Sequence, residues 1–118
     1  QDEEQIMSPL RDFFKGNPDV DAILFGTNHI GTCGLKVMHE LGLKAPTDIA
    51  VISFDDYDVF KLHSPPITAI AQPVEAIADN VITVLLEKLN DRSSTAKLQS
   101  IILKTDLKIR NSSVKNPA

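Results

Sequence analysis

Polar side chains stand directly after two apolar runs of this sequence, where they could hold a small polar ligand. The run Ile49–Ser53 is apolar or small throughout and, after Phe54, stops at Asp55 and Asp56. Such a run between polar residues predicts a strand buried on both faces. Ligands of open parallel α/β sheets bind at the carboxyl ends of strands, where an aspartate can accept hydrogen bonds from hydroxyl groups. The same aspartates are common in solvated turns, so the motif alone leaves both interpretations open.

A second polar group follows the run Ala22–Phe25, which also predicts a buried strand. Thr27 and Asn28 come at the carboxyl end of this strand. Asn28 could cap the next helix, which is the more frequent role of asparagine at such a position. It could instead offer its amide, which is both donor and acceptor, to a ligand.

Other kinds of site are not indicated. Gly31 and Gly34 lack the spacing of a phosphate-binding loop and the Lys-Ser/Thr that follows one. The three histidines form no metal-ligand pattern with Cys33, and Asp56 and Asp58 lack the later residues of a calcium loop. No local motif indicates a Ser–His–Asp arrangement, and the order of acidic residues does not fit a phospho-acceptor receiver. We therefore expect no catalytic residue, no metal and no cofactor.

The composition is that of one ordinary globular domain. The chain has 118 residues, 42% hydrophobic and 24% charged, with a formal net charge of −4. No cluster of Lys and Arg is present, which argues against direct binding of nucleic acid by this stretch. The single cysteine favours a reducing compartment, and no signal peptide or membrane span is visible. Because the chain begins at Gln1 rather than Met, we expect a fragment of a longer protein.

Helical periodicity predicts the elements around the two strands. Ser8 as N-cap with Pro9 in the first helical position predicts a short helix over about 9–15. A stripe of apolar residues including Cys33 predicts a helix over about 30–41, with Leu35 off the stripe. The longest helix is predicted from Pro73 to Leu89, with an apolar face wide enough to indicate that it is well buried.

The remaining segments are short. Residues 57–64 predict a turn of helix, and residues 67–71 a short extended connector. Residues 91–97 predict a polar loop, and residues 100–103 and 107–109 two β-like runs. The tail, residues 111–118, is predicted to be mobile, and it contains the last five residues, 114–118, that we place outside the domain.

Four of these stretches, in this order, resemble regulators of the LacI/GalR family. The first, Pro18–Phe25 with Thr27 and Asn28, resembles the segment leading to the family's Asn-Asp turn. The second resembles the family's most characteristic stretch, the third its crossover and the fourth its final strand: Glu40–Asp56, Ser64–Pro73 and Leu107–Ser112. The similarity covers nearly the whole chain from about Pro18 to Ser113.

The resemblance implies an α/β fold, a parallel-sheet three-layer sandwich of the periplasmic-binding-protein-like class I, of which residues 1–113 would form mostly the C-terminal lobe. In this family an effector, often a sugar or a nucleobase, binds between two lobes, and we expect a sugar here. Asp55 would correspond to the family's ligand-binding aspartate, Asn28 to a polar contact from the neighbouring strand end, and Gln72 to one from the crossover. His29 replaces the family's usual aspartate, and Ser53 its usual glycine.

The resemblance also implies partners. The helix after Asn28 and the segment that follows the strand-end aspartates would face a second copy of the chain, through Cys33, Val59, Phe60 and Leu62. DNA would be bound only by an N-terminal headpiece that precedes this stretch, in a cytoplasmic protein that is not an enzyme. Without the first lobe, the helix from Pro73 would be covered by a partner chain or folded back onto the sheet.

Two other functions compete with this interpretation. A periplasmic sugar-binding protein of a transport system has the same fold, and the gene sequence upstream would distinguish it by a signal peptide in place of a headpiece. An α/β enzyme fragment ranks below both, because no nucleophile, base or metal constellation is apparent.

Overall fold

The computed structural model describes residues 2–90 and 100–115. The chain divides into two compact units. The first combines Gln1–Ala71 with Leu107–Ala118, and the second is Gln72–Asp106. The predicted loop at residues 91–97 and the last three residues of the predicted tail lie outside the described residues.

A mostly parallel sheet forms the centre of the first unit. Its strands are β1 (Ala22–Phe25), β2 (Ala50–Phe54), β3 (Thr68–Ala71) and β4 (Asp106–Lys108), in the order β1-β2-β3-β4. β1 and β2 are parallel, as are β2 and β3. Short runs of apolar and small residues form β1, β2 and β3. In β1 only Phe25 is buried, so the prediction of a buried strand there is wrong for the chain by itself, and β4 is exposed throughout. The connector predicted at residues 67–71 is the strand β3.

The first helix, α1 (Glu3–Gly16), is longer than predicted. It begins where the Asp2 carboxylate accepts the Glu4 N–H at 3.3 Å, and Pro9 lies inside it. The prediction that the helix starts at Pro9 was therefore wrong. Burial of Met7 and Phe14 holds together a helix that proline would otherwise interrupt.

The second helix, α2 (Asn28–Glu40), packs against both α1 and the sheet. Cys33, Val37 and Met38 of the predicted stripe are buried, and so is Leu35, which the sequence placed off the stripe. A helix with neighbours on two sides buries a wider face than its strongest stripe. The charged pairs Lys36–Glu3 and Arg11–Glu40, each at 2.8 Å, link α1 and α2 at the surface.

Two glycines allow α2 to approach the sheet closely. A Cβ at Gly34 would lie 2.2 Å from Cζ of Phe25, and one at Gly31 would lie 2.8 Å from Oγ of Ser53. Phe25 and Ser53 are opposite each other in the β1–β2 register. These glycines thus have a packing role, and the fully buried Ser53 is accommodated because Gly31 opposite it has no side chain.

The C-terminal segment is fixed to the sheet by buried hydroxyl groups. Asn111–Ser113 forms a 3-10 helix, which corrects the prediction that the tail is mobile from residue 111. Oγ of Ser112 donates to the Val51 carbonyl at 2.6 Å and accepts the Thr68 N–H at 2.8 Å. The Arg110 N–H donates to Oγ1 of Thr68 at 2.8 Å, and that hydroxyl lies 3.0 Å from the Arg110 carbonyl.

Arg110 also forms a two-pronged ion pair with Asp56. Its two terminal nitrogens lie 2.8 and 2.7 Å from the two carboxylate oxygens, and one of them also donates to the Ile67 carbonyl at 2.7 Å. The side chains of Arg110 and Asp56 are only 18% and 9% exposed. The hydrogen bonds from Arg110 lower the pKa of the Asp56 carboxyl below its usual value, against the opposing effect of burial.

The second unit contains the longest helix, α4 (Val74–Asn90). Its pattern was predicted correctly, but none of its residues is buried, and Val81 and Leu89 are 60% and 62% exposed. The prediction that this helix is well buried is therefore wrong for the chain by itself, and the element or partner that covers it stays a prediction. Its apolar face lines a groove of about 530 Å³ with Ile101 and Leu103. Residues 100–103, predicted to be β-like, form no strand.

Replacement of Gly34 by alanine is expected to destabilise the chain by about 1–3 kcal/mol, because the new methyl group would overlap the Phe25 ring. Urea unfolding followed by circular dichroism measures the effect. Gly16→Ala is the matched control: Gly16 is helical with nothing within 4 Å of an added Cβ, so this change should be neutral or slightly stabilising. Equal effects of the two changes would contradict the close approach of α2.

Replacement of Asp56 by asparagine is expected to lower the free energy of unfolding by about 3 kcal/mol at pH 7, because it leaves Arg110 without its anionic partner. The folded-state pKa of Asp56 is lowered, so its contribution is present above the unfolded-state pKa of about 3.9 and is lost as the pH falls through the folded value. The difference between the two proteins should therefore shrink below about pH 4.

Urea unfolding at several pH values from 7 to 2.5 tests this dependence. Asp12→Asn, which changes an exposed aspartate on α1, is the control and should leave stability nearly unchanged at pH 7. A difference between wild type and Asp56→Asn that stays constant across the whole range would refute the proposed role of the ion pair.

Candidate functional site

The carboxyl ends of β1 and β2 meet at one edge of the sheet, and two of the predicted ligand-binding residues follow them there. Phe25 is opposite Ser53 in the register of these parallel strands. Asn28 begins α2 shortly after Phe25, and Asp55 directly follows β2. Both residues are partly buried. The edge position of Asn28 and Asp55 is the one the sequence predicted, and ligand binding by them stays a prediction.

The amino end of α2 is capped by Thr27 rather than by Asn28. Oγ1 of Thr27 accepts the Ile30 N–H at 3.2 Å, and the backbone there is extended, as in an N-cap residue. Asn28 is the first residue of the helix, and its carbonyl accepts a hydrogen bond from the Thr32 hydroxyl at 2.9 Å. The capping interpretation of Asn28 is therefore wrong, and the ligand interpretation is the one that remains from the sequence.

Asp55 has an unusual backbone conformation. Its φ is 68°, in the left-handed region, which side chains other than glycine, asparagine and aspartate seldom adopt. Its N–H donates to the Ile70 carbonyl of β3 at 2.9 Å, so the residue is still tied to the sheet. Left-handed residues of this kind occur where surrounding structure holds them, often at ligand sites.

The two neighbouring aspartates differ in their environment. Asp56 is paired with Arg110, which keeps its pKa low and its carboxylate charged, while Asp55 precedes it at the strand end. Sequence reasoning treated both as members of one strand-end group and did not identify Arg110. An arginine directly after the β-like run 107–109 is the only sequence signal for it, and nothing in that signal identifies a partner 54 residues away.

Gln72, the third predicted ligand-binding residue, directly follows β3 and is the first residue of the second unit. It is exposed, and its carbonyl accepts the Val74 N–H at 2.8 Å. Its role in ligand binding stays a prediction.

The four residues predicted to face a second copy divide into two groups. Cys33 and Phe60 have no exposed surface and belong to the core, because their side chains face inward from α2 and from α3 (Asp58–Leu62). The structure thus contradicts their placement at an outer surface of the chain. Val59 and Leu62, also on α3, are 40% and 83% exposed, so only these two offer surface to a partner.

Within residues 2–90 and 100–115, no group of three or more His, Cys, Asp or Glu side chains could hold a metal ion. In the same part of the chain, no helix combines the length and apolar character needed to cross a bilayer.

Residues 1–113 match the family model of the periplasmic binding protein-like domain. Curated relatives are bacterial regulators. The HTH-type transcriptional regulator CelR of Thermobifida fusca is 28% identical over 90% of this chain and 31% of its own length. KdgR of Bacillus subtilis is 36% identical over 75% of this chain and 26% of its own length. This chain therefore spans about a third or less of these two relatives.

The lactose operon repressor sequence of Rhizobium radiobacter is 31% identical, over 83% of both chains. Among solved structures, the transcriptional regulator CelR–cellobiose complex superimposes with a TM-score of 0.82 at 27% identity, over 94% of this chain and 33% of the other. A LacI family regulator from Enterococcus faecalis with bound ribose gives 0.77 at 28% identity, over 94% and 40%. The chain belongs to the periplasmic binding protein-like domain family, in the form found in LacI-type transcriptional regulators.

Proposed function

We propose that this chain is the effector-sensing and dimerising region of a LacI-type transcriptional regulator, and that it binds a sugar at the carboxyl edge of its sheet. The observation that carries the proposal is Asp55, a strand-end carboxylate in a left-handed conformation at the same edge of the sheet as Asn28, which follows the neighbouring strand. A carboxylate that accepts hydrogen bonds suits a ligand with many hydroxyl groups.

Relatives support a sugar as the ligand class. Two of the similar solved structures are described as complexes with cellobiose and with ribose, and both match about nine-tenths of this chain. Because this chain covers only part of those proteins, groups from elsewhere in a longer protein would complete the site.

Control of DNA binding would be exerted through another part of the protein. The curated relatives are named as HTH-type regulators and are several times longer than the matched stretch. No cluster of Lys and Arg occurs in this sequence, whose formal net charge is −4, so a separate headpiece would contact DNA. Sugar binding would shift the population between two arrangements of the effector domain and so of the headpieces.

A periplasmic sugar-binding protein of a transport system is the second candidate, because it shares the fold. The relatives favour the regulator, since the curated proteins described above are named as regulators or repressors. A DNA-binding headpiece encoded upstream of this stretch would support the regulator, and a signal peptide there would support transport.

Replacement of Asp55 by asparagine is expected to weaken sugar binding about tenfold to a hundredfold, the effect of losing one hydrogen bond to a charged group. Isothermal titration calorimetry with cellobiose, lactose and ribose as separate probes measures this change. Asp12→Asn removes one negative charge from the exposed face of α1 and should leave the affinity unchanged. Unaltered affinity in Asp55→Asn, for whichever of these sugars binds, would contradict the proposed site.

Dimerisation through α3 is expected to depend on Leu62, the most exposed apolar side chain of that helix. Leu62→Glu places a charge in the proposed interface and should shift the molar mass, measured by light scattering over a range of concentrations, from dimer toward monomer. Leu86→Glu is the matched control on α4, whose apolar face could also associate. Dimers lost in Leu86→Glu but retained in Leu62→Glu would assign the association to α4 and reject the α3 interface.

A further inference from the structure

Asp55 is the only residue other than glycine with a positive φ among residues 2–90 and 100–115. A left-handed conformation costs a residue with a Cβ about 1 kcal/mol or more, and it persists only where neighbouring contacts enforce it. The direction of the Cα–Cβ bond follows from the backbone conformation, so the contacts that fix φ of Asp55 also fix the direction in which its side chain leaves the backbone. The contacts that enforce this conformation therefore bear on the proposed sugar site.

The backbone is held on both sides of Asp55. On the amino side, Phe54 is paired with Ile70 in the β2–β3 register, and the Asp55 N–H donates to the Ile70 carbonyl at 2.9 Å. On the carboxyl side, the Asp56 carboxylate forms an ion pair with both terminal nitrogens of Arg110, at 2.8 and 2.7 Å. Asp55 is the single residue between the end of β2 and this ion pair.

Arg110 is itself held in place by further hydrogen bonds. Its guanidinium also donates to the Ile67 carbonyl at 2.7 Å, and its backbone N–H donates to the Thr68 hydroxyl at 2.8 Å. Two residues later, the fully buried Ser112 bridges the Thr68 N–H and the Val51 carbonyl. The ion pair thus ties the residue after Asp55 to the beginning of β3, which is a fixed part of the sheet.

We propose that Asp56 and Arg110 are positioning residues that hold Asp55 in its left-handed conformation and so fix its carboxylate at the carboxyl edge of the sheet. This inference deepens the proposed function, because it rests on Asp55 being the sugar-binding carboxylate. It assigns the two adjacent aspartates different roles: Asp55 contacts the effector, and Asp56 sets the backbone from which Asp55 projects. The C-terminal segment, which carries Arg110, thereby supports the effector site without contacting the ligand.

The direct test is NMR measurement of the Asp55 backbone in isotope-labelled protein without any sugar. In wild type, the intraresidue HN–Hα nuclear Overhauser effect of Asp55 should be strong, as the short distance in a left-handed residue requires. In Asp56→Asn and Arg110→Lys it should weaken toward that of ordinary extended residues. Arg11→Lys is the matched control, because Arg11 pairs with Glu4 and Glu40 on the surface of α1 and α2. An unchanged Asp55 signal in folded Arg110→Lys and Asp56→Asn would overturn the proposal.

A stability cycle provides a second test that also works where the single variants are poorly folded. Glycine adopts the left-handed conformation without penalty, so Asp55→Gly relieves strain only while the ion pair enforces that conformation. In wild type, loss of the ion pair also releases the strain at Asp55, so we expect Arg110→Lys to reduce the folding equilibrium constant about fivefold more in the Asp55→Gly background than in wild type. Additive effects of the two changes would refute the positioning role.

These measurements separate the inference from the function on which it rests. Neither the NMR signal nor the stability cycle involves a sugar, so both report on the positioning role alone. The proposed function fails if Asp55→Asn leaves sugar binding unchanged. The inference fails if the Asp55 conformation is independent of Arg110, even where Asp55→Asn abolishes binding.

Discussion

Buried polar groups need hydrogen-bond partners, and in this protein that requirement joins distant parts of the chain at Thr68 and Ser112. Both residues are almost completely buried, and their partners lie between 42 and 61 residues away in the sequence. Leaving one of these groups unpaired would cost about 1–3 kcal/mol. The crossover from β2 to β3 and the segment from Arg110 to Ser113 therefore keep each other in place, and the strand ends that carry the candidate site depend on both.

The sequence was sufficient to predict elements whose patterns are local. The strands β1 and β2 and the helices α2 and α4 were recognised from apolar runs and helical periodicity, which depend only on neighbouring residues. The start of α1 was missed because Pro9 argues against a helix there, whereas burial of Met7 and Phe14 outweighs it. The burial of Leu35 was missed for a related reason, since it depends on which elements pack around α2, and periodicity does not identify them.

The helix α4 shows the limit of periodicity more sharply. Its apolar positions surround much of the helix, which predicted a buried element, yet every one of its residues keeps appreciable exposure in the chain by itself. An apolar pattern indicates that a helix face is suited to burial, but it does not identify the element or partner that covers that face. The opposite error occurred for Cys33 and Phe60, where a resemblance placed at an outer surface two side chains that the core encloses completely.

The candidate site depends both on a local sequence pattern and on a contact between residues far apart in the sequence. A strand that ends in aspartates predicted a polar edge, but two identical side chains in succession cannot be told apart by type or by period. The two aspartates are distinguished by a partner 54 residues away in the sequence. Because Arg110 pairs with Asp56, Asp55 is the one residue in which the chain can turn out of β2. A single residue that ends a strand and must also place the next residue, Asp56, against the fixed side chain of Arg110 has little conformational freedom. Its φ of 68° is the physical result of that constraint.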